Sequence, residues 1–247
     1  MMAIERHSGP IRAGTGVPWD HVNQFILLHS INIKHGIHAI DIKHGDGQRF
    51  DATLSAYLDV MDKAVGNLES DWRAYSAYIG VCNIIGLHQY GLKGDLLGGT
   101  QIPLPHSKRL AYRILNVALQ RVCGPNVLLH LHVWLVFISC AVRLGTAMRQ
   151  LEVGFPWEAL VNMLNSVLIR KPGHVISGER GFPRGPYRQP LPEDYCLRGF
   201  GWAREYFPVG WFGVVQWEGG NGRLWRSRLW GTYVLNAYFG LPLRLHM

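Results

Sequence analysis

The sequence predicts an all-α fold, and three observations carry that expectation. Apolar residues recur at the spacing of one helical face in several segments. Glycine, proline and acidic residues stand where helices start or stop. Of the 247 residues 48% are apolar, enough to bury a domain-sized core. Only 17% are charged, below the average of ~25%, and this composition excludes a disordered chain.

Residues 1 to about 22, with Gly9-Pro10, Gly14, Gly16 and Pro18, have no period and read as a loose lead-in. From Gln24 to Ile42 apolar residues are dense but broken by His29, His35, Gly36 and His38, so a single helix and a strand-turn-strand both fit. Beyond Asp51, a candidate cap, Leu54, Tyr57, Leu58, Met61, Val65 and Leu68 form one helical stripe. Trp72, Tyr75, Ile79, Cys82 and Ile85 continue at helical spacing as far as Gly91, which suits the left-handed end of a helix. This second helix is expected to pack back on the first.

Residues 91–105 (GLKGDLLGGTQIPLP) hold too much Gly and Pro to be helical throughout. Ala111, Ile114, Leu115, Ala118, Leu119 and Val122 make the next stripe, stopped by Gly124-Pro125. The run from Asn126 to Leu144 is apolar on every face, which predicts a central helix with neighbours all round. Its longest apolar stretch, 127–142, is 16 residues and contains two histidines, short of the ~20 a membrane span needs.

Phe155-Pro156-Trp157-Glu158 opens another helix, with proline at the first position and an acid in the first turn. Its inner face is Trp157, Leu160, Val161, Leu164, Val167 and Leu168. Residues 170–190 carry five basic residues against Glu179, with four prolines and no period, and read as a basic loop. Pro192-Glu193-Asp194 starts the last expected helix, with Tyr195, Phe200, Ala203, Tyr206 and Phe207 inward and Pro208 at its end. Past Phe212 the aromatic, glycine-rich tail fits a hairpin and a helix equally well.

The formal charge of +8 favours an anionic partner, and residues 170–230 hold ten Lys and Arg against five acids. Arginines on a loop neutralise phosphates with release of counterions, while Trp211, Trp217, Trp225 and Trp230 are candidates to stack on unpaired bases. RLWRSRLW (223–230) is the densest such mixture. The competing reading makes the tryptophans core and the arginines solubilising. Arg198 has an alternative of its own, an ordinary helical ion pair with Asp194 four residues earlier.

No HExxH, GxSxG, Walker or dinucleotide-binding signature is present. His130 and His132 are two apart, so on a helix they diverge by about 200° and read as core residues rather than metal ligands. His29, His35, His38 and His44 could gather an ion with Asp41, as in an unrecognised metal hydrolase, but only His35 and His38 have favourable helical spacing. No cofactor and no metal are expected. Cys82, Cys123, Cys140 and Cys196 lack any CxxC spacing and read as reduced core residues. With no secretory signal in the first residues, an intracellular site is expected.

Four stretches, FILLHSINI with AYLDVMDKAVG (25–33, 56–66), WRAYSAYIGVCNIIGLHQYG (72–91), LNVALQRVCGPNVLLHLHVWLVF with FPWEALVNMLNSVL (115–137, 155–168) and PLPEDYCLRGFGWAREYFPVGWF (190–212), together carry a resemblance. They resemble the fungal DNA/RNA-binding domain of the ever-shorter-telomeres type, in telomerase-associated and nonsense-mediated-decay adaptors. The last stretch is the most specific, with its PLPED opening, Arg-Gly pair and YFP-x-x-WF ending in one block.

The resemblance spans residues 23–212 and implies stacked antiparallel helical hairpins of tetratricopeptide-like form, between a lead-in (1–22) and an aromatic basic tail (213–247). It implies a non-enzymatic platform, in the nucleus or cytoplasm, for RNA, single-stranded DNA, or proteins of RNA decay or telomerase, with no membrane. Such relatives carry an N-terminal phosphoserine-binding module and an acidic stretch after the YFP-x-x-WF block. This chain has neither, so phosphopeptide recognition is not expected, and a truncated gene product is an alternative. The residues expected to contact nucleic acid are Arg170, Lys171, Arg180, Arg184, Arg188 and Arg198. A scaffold whose helix groove holds a partner helix, without nucleic acid, is the rival function.

Overall fold

The amphipathic stripes that begin at Leu54, Trp72, Ala111 and Trp157 become helices. The computed structural model describes residues 19–38, 44–67, 69–91, 96–99, 101–121, 126–143, 145–169, 182 and 190–213. Among them lie α1 (Trp19–His38), α2 (His44–Asn67), α3 (Glu69–Leu87), α4 (Pro105–Gln120), α5 (Leu128–Arg143), α6 (Thr146–Leu151), α7 (Trp157–Ile169) and α8 (Pro192–Leu197). Short 3₁₀ turns occupy Gln89–Gly91 and Gly201–Ala203. No strand occurs among the described residues, so the all-α expectation holds, and residues 24–38 of the ambiguous 24–42 region are helical, 39–42 lying outside the described residues.

The stripe on α2 is buried as expected at Leu54, Tyr57, Leu58, Met61 and Val65, with Phe50 and Ala64 added. Leu68 is outside the described residues. Asp51, expected as a cap, stands inside α2, because the helix opens seven residues earlier; its exposed carboxylate pairs with Arg109 of α4. Helix α4 likewise opens earlier than its stripe, at Pro105 in the first helical position, and buries Leu110, Ala111, Ile114, Leu115, Ala118 and Leu119.

Helix α3 buries Trp72 and Ile79 but leaves Tyr75 exposed, correcting the inward stripe expected for it. Its true inner surface includes Ser76, Ala77, Gly80, Asn83, Ile84 and Leu87. Small residues there let a neighbour approach closely. A Cβ added at Gly80 would sit 3.2 Å from Val133 Cγ1 and 3.3 Å from His130 Nδ1, both on α5.

Consequently α3 packs chiefly against α5 and next against α4, more than against its chain neighbour α2, while α1 lies mainly on α2. Gly91, at φ +74°, ends the turn after α3 as its position suggested. Helix α5 is buried at all twelve residues from His130 to Ala141, which makes it the central helix the uniform apolar run predicted. No helix among the described residues is long and apolar enough to cross a membrane.

Pro156 immediately precedes α7, its carbonyl accepting the Leu160 N–H at 3.0 Å. Leu160, Leu164 and Val167 point inward as expected, joined by Met163, while Trp157 and Val161 are half-buried; Leu168's side chain is outside the described residues. Helix α8 stops at Leu197, ten residues short of the expected end near Phe207. Gly199, at φ +98°, takes a backbone that side chains rarely adopt, and the chain continues in turns. Within it Tyr195 is exposed, contrary to expectation, while Ala203 and Tyr206 are buried and Phe200 and Phe207 are half-buried.

Candidate nucleic-acid interface

Asp194 organises residues 190–213. From the first turn of α8 its carboxylate reaches back to accept the Leu191 backbone N–H at 2.8 Å and the Trp211 indole N–H at 3.2 Å, both on Oδ2. Its Oδ1 lies 2.8 Å from His132 Nε2 on α5. Burial opposes charge on His132, but the hydrogen bond and negative charge of Asp194, with Glu193 beside it, outweigh burial and raise the imidazole above its ordinary pKa. This buried hydrogen bond, an ion pair wherever the imidazole is protonated, ties the segment to the central helix.

Around this node the aromatic rings form a continuous patch. Phe182 packs against Trp211 (4.7 Å between centroids), Tyr206 (5.3 Å) and Phe207 (6.0 Å). Phe207 meets Phe212 at 4.9 Å, and Phe212 meets the exposed Tyr195 at 5.2 Å. The Arg198 guanidinium lies 5.4 Å from the centre of the Phe212 ring, a cation–π contact. Arg198 and Arg204 are both exposed.

Of the six residues expected to contact nucleic acid, Arg198 is on this patch, and Arg170, Lys171, Arg180, Arg184 and Arg188 lie outside the described residues. Phe182, two positions from both Arg180 and Arg184 in the chain, is described and docked. Two side readings are corrected. The Arg198 pairing with Asp194 is replaced by the contact with Phe212, since Asp194 faces inward to His132, Leu191 and Trp211. Trp211, offered for base stacking, is buried and donates to Asp194. Trp217, Trp225 and Trp230 lie outside the described residues.

His130 and His132 point to different partners, as their spacing requires: His130 Nδ1 lies 2.7 Å from the Ser76 carbonyl oxygen on α3. His29 is buried against Tyr90; the side chains of His35, His38 and His44, and Asp41 entirely, fall outside the described residues. Among the described residues no group of three or more His, Cys, Asp or Glu could hold a metal ion. Cys82, Cys140 and Cys196 are not disulfide-bonded; Cys140 is buried as a core residue and its thiol is pushed up to about 11 mainly by that burial, whereas Cys82 and Cys196 are only half-buried, and Cys123 is outside the described residues.

Sequence reasoning missed two residues. Phe182 was the lone large aromatic between Arg180 and Arg184, a visible sign of an anchor inside a basic stretch. Asp194 was read as a helix-opening acid and a neighbour for Arg198, because its partner His132 is 62 residues away. No protein-family model, curated protein or solved structure matches this chain.

Proposed function

We propose that this chain is a non-enzymatic helical adaptor that binds RNA or single-stranded DNA, mainly through phosphates, in RNA surveillance or telomere maintenance. Arg170, Lys171, Arg180, Arg184 and Arg188 act with Arg198, on a tetratricopeptide-like platform of helical hairpins. The single observation that carries the reading is the docking of Phe182 onto Tyr206, Phe207 and Trp211. It holds Phe182, which stands between Arg180 and Arg184 in the sequence, at the patch where Arg198 and Tyr195 flank Phe212, and this supports a surface that combines phosphate-neutralising charge with stacking rings. Pairing between α1 and α2 supports the hairpin arrangement, while the dominant α3–α5 contact departs from simple nearest-neighbour stacking.

The test is fluorescence anisotropy of the full chain with labelled polyuridine and polythymidine strands, between about 50 and 200 mM salt. Arg180→Glu with Arg184→Glu and Arg188→Glu is expected to weaken binding and flatten the salt dependence by about one unit of slope per lost phosphate contact. Tyr195→Ala is expected to weaken binding with the slope unchanged. Affinity unaltered by the charge reversals would overturn the reading.

A second reading, a scaffold for a partner helix, draws support from exposed Tyr75 and Tyr78, three apart on α3. Salt-insensitive capture of a protein partner, with no retention on polyanion columns, would favour it.

A further inference from the structure

Next to the Arg198 patch the same segment carries a second set of rings. Trp202, in the turn Gly201–Ala203, lies nearly parallel to two of them. Phe200 is 5.7 Å away between centroids with 23° between planes, and His88, just past the end of α3, is 6.5 Å away with 12°. Phe137 of α5 braces the series edge-on, 5.4 Å from Trp202 and 5.8 Å from His88. Phe137 is buried, whereas Phe200, Trp202 and His88 are half-buried. The rings are therefore held from the core yet open in part to solvent. A ring already ordered in this way loses little further freedom when a flat ligand settles on it.

Phe200 enters the series from a tight, open turn. The Arg198 N–H donates to the Tyr195 carbonyl at 3.3 Å, and the Phe200 N–H donates to the Leu197 carbonyl at 3.3 Å. These bonds keep Tyr195 and Phe200 close in space, with Arg198 and Gly199 between them in the chain. Gly199 and Gly201, on either side of Phe200, are exposed, so no side chain of theirs obstructs a ligand that approaches the backbone.

The charges around the rings suit a polyanion. Arg198 and Arg204 are exposed, and Arg143, exposed in the last turn of α5, donates through Nη1 to the Glu205 carbonyl at 3.4 Å. Against these arginines Glu205 is the one exposed acid of the described 190–213 segment, because Glu193 and Asp194 are buried. Rings separated by an arginine match a ligand whose flat groups are separated by negative charge. A single strand of nucleic acid, with its order of base, phosphate and base, is such a ligand.

We propose that residues 195–212 hold two bases of one strand, the first on Tyr195 with Phe212 and the second on the solvent-open part of Phe200, with Arg198 at the phosphate between them. Trp202 and His88 are positioning residues that keep the Phe200 ring in place. The proposal rests on the nucleic-acid reading above and adds base contacts to a surface assigned there mainly to phosphates.

The test is fluorescence anisotropy of the full chain with two labelled strands of equal length, an oligodeoxyadenylate and the same sugar–phosphate chain without bases. The unaltered chain is expected to hold the adenine strand about fivefold or more tighter. Phe200→Leu keeps an apolar side chain and removes the ring. It is expected to weaken adenine-strand binding by about fivefold or more and to leave abasic-strand binding unchanged. Combining it with Tyr195→Ala should multiply the two losses. Equal affinity of the unaltered chain for both strands, an equal loss on both strands in Phe200→Leu, or a double variant no weaker than Phe200→Leu alone would overturn the proposal. Equal affinity for both strands leaves phosphate binding standing, whereas no affinity for either would overturn the nucleic-acid reading itself.

Discussion

Helices α5 and α1 are 16 and 20 residues long, and both bring histidines into the core, yet they are held there by different balances. Helix α5 has α3, α4, α6, α8 and the 201–203 turn around it, so His130 meets the Ser76 carbonyl and His132 meets Asp194. Helix α1 has most of its contact with one neighbour, α2, and its buried His29 meets Tyr90 of the turn after α3. Burying Leu28 and Ile31 contributes about 1.5–3 kcal/mol each.

The contrast breaks most sharply at Trp134 on α5, which packs its ring against Tyr112, Phe137 and Phe155. Trp134→Ala is expected to cost about 4 kcal/mol and to lower the denaturant midpoint of the whole body. A loss confined to one helix would contradict the central role of α5. Next is Asp194→Ala, which strands His132 and the Leu191 and Trp211 N–H groups. It should cost about 3 kcal/mol and speed proteolysis of residues 190–213 ahead of α2–α5.

Acid separates the histidines. Burial holds both His29 and His130 down at about 4, against hydrogen bonding that pulls the other way. Their folded values lie below the unfolded 6.5, so the stability they confer is present above pH 6.5 and lost as pH falls through 4. Each is expected to cost on the order of 2 kcal/mol by pH 4.5. His132 runs oppositely: its raised value makes its contribution complete below pH 6.5 and lost as pH rises through the folded pKa. Denaturant midpoints at pH 7 and 4.5 should fall toward acid, less so in His29→Leu and His130→Leu.

The smallest effect belongs to the exposed pairs. Arg121 grips Asp62 through Nε at 3.0 Å and through NH2 at 2.6 Å, and Arg109 pairs with Asp51. Both lie where solvent screens them, so Arg121→Ala and Arg109→Ala should each cost less than about 1 kcal/mol in thermal unfolding.

Hydrophobic periodicity by itself determined the existence of α2, α3, α4 and α7, and a run apolar on every face determined α5 and its central place, because both patterns are written locally in the chain. Helix boundaries were less secure: Asp51 proved internal to α2, and the aromatic run through Phe207 did not keep α8 going past Leu197. Tertiary structure alone decided that α3 packs mainly on α5, that Asp194 serves His132 and Trp211 rather than Arg198, that Phe182 docks on Tyr206 and Trp211, and that His29 meets Tyr90. Each of these joins residues between 17 and 62 positions apart, or chooses among several equally apolar faces. Such choices depend on which surfaces pack together in three dimensions, and no local pattern of residues encodes them.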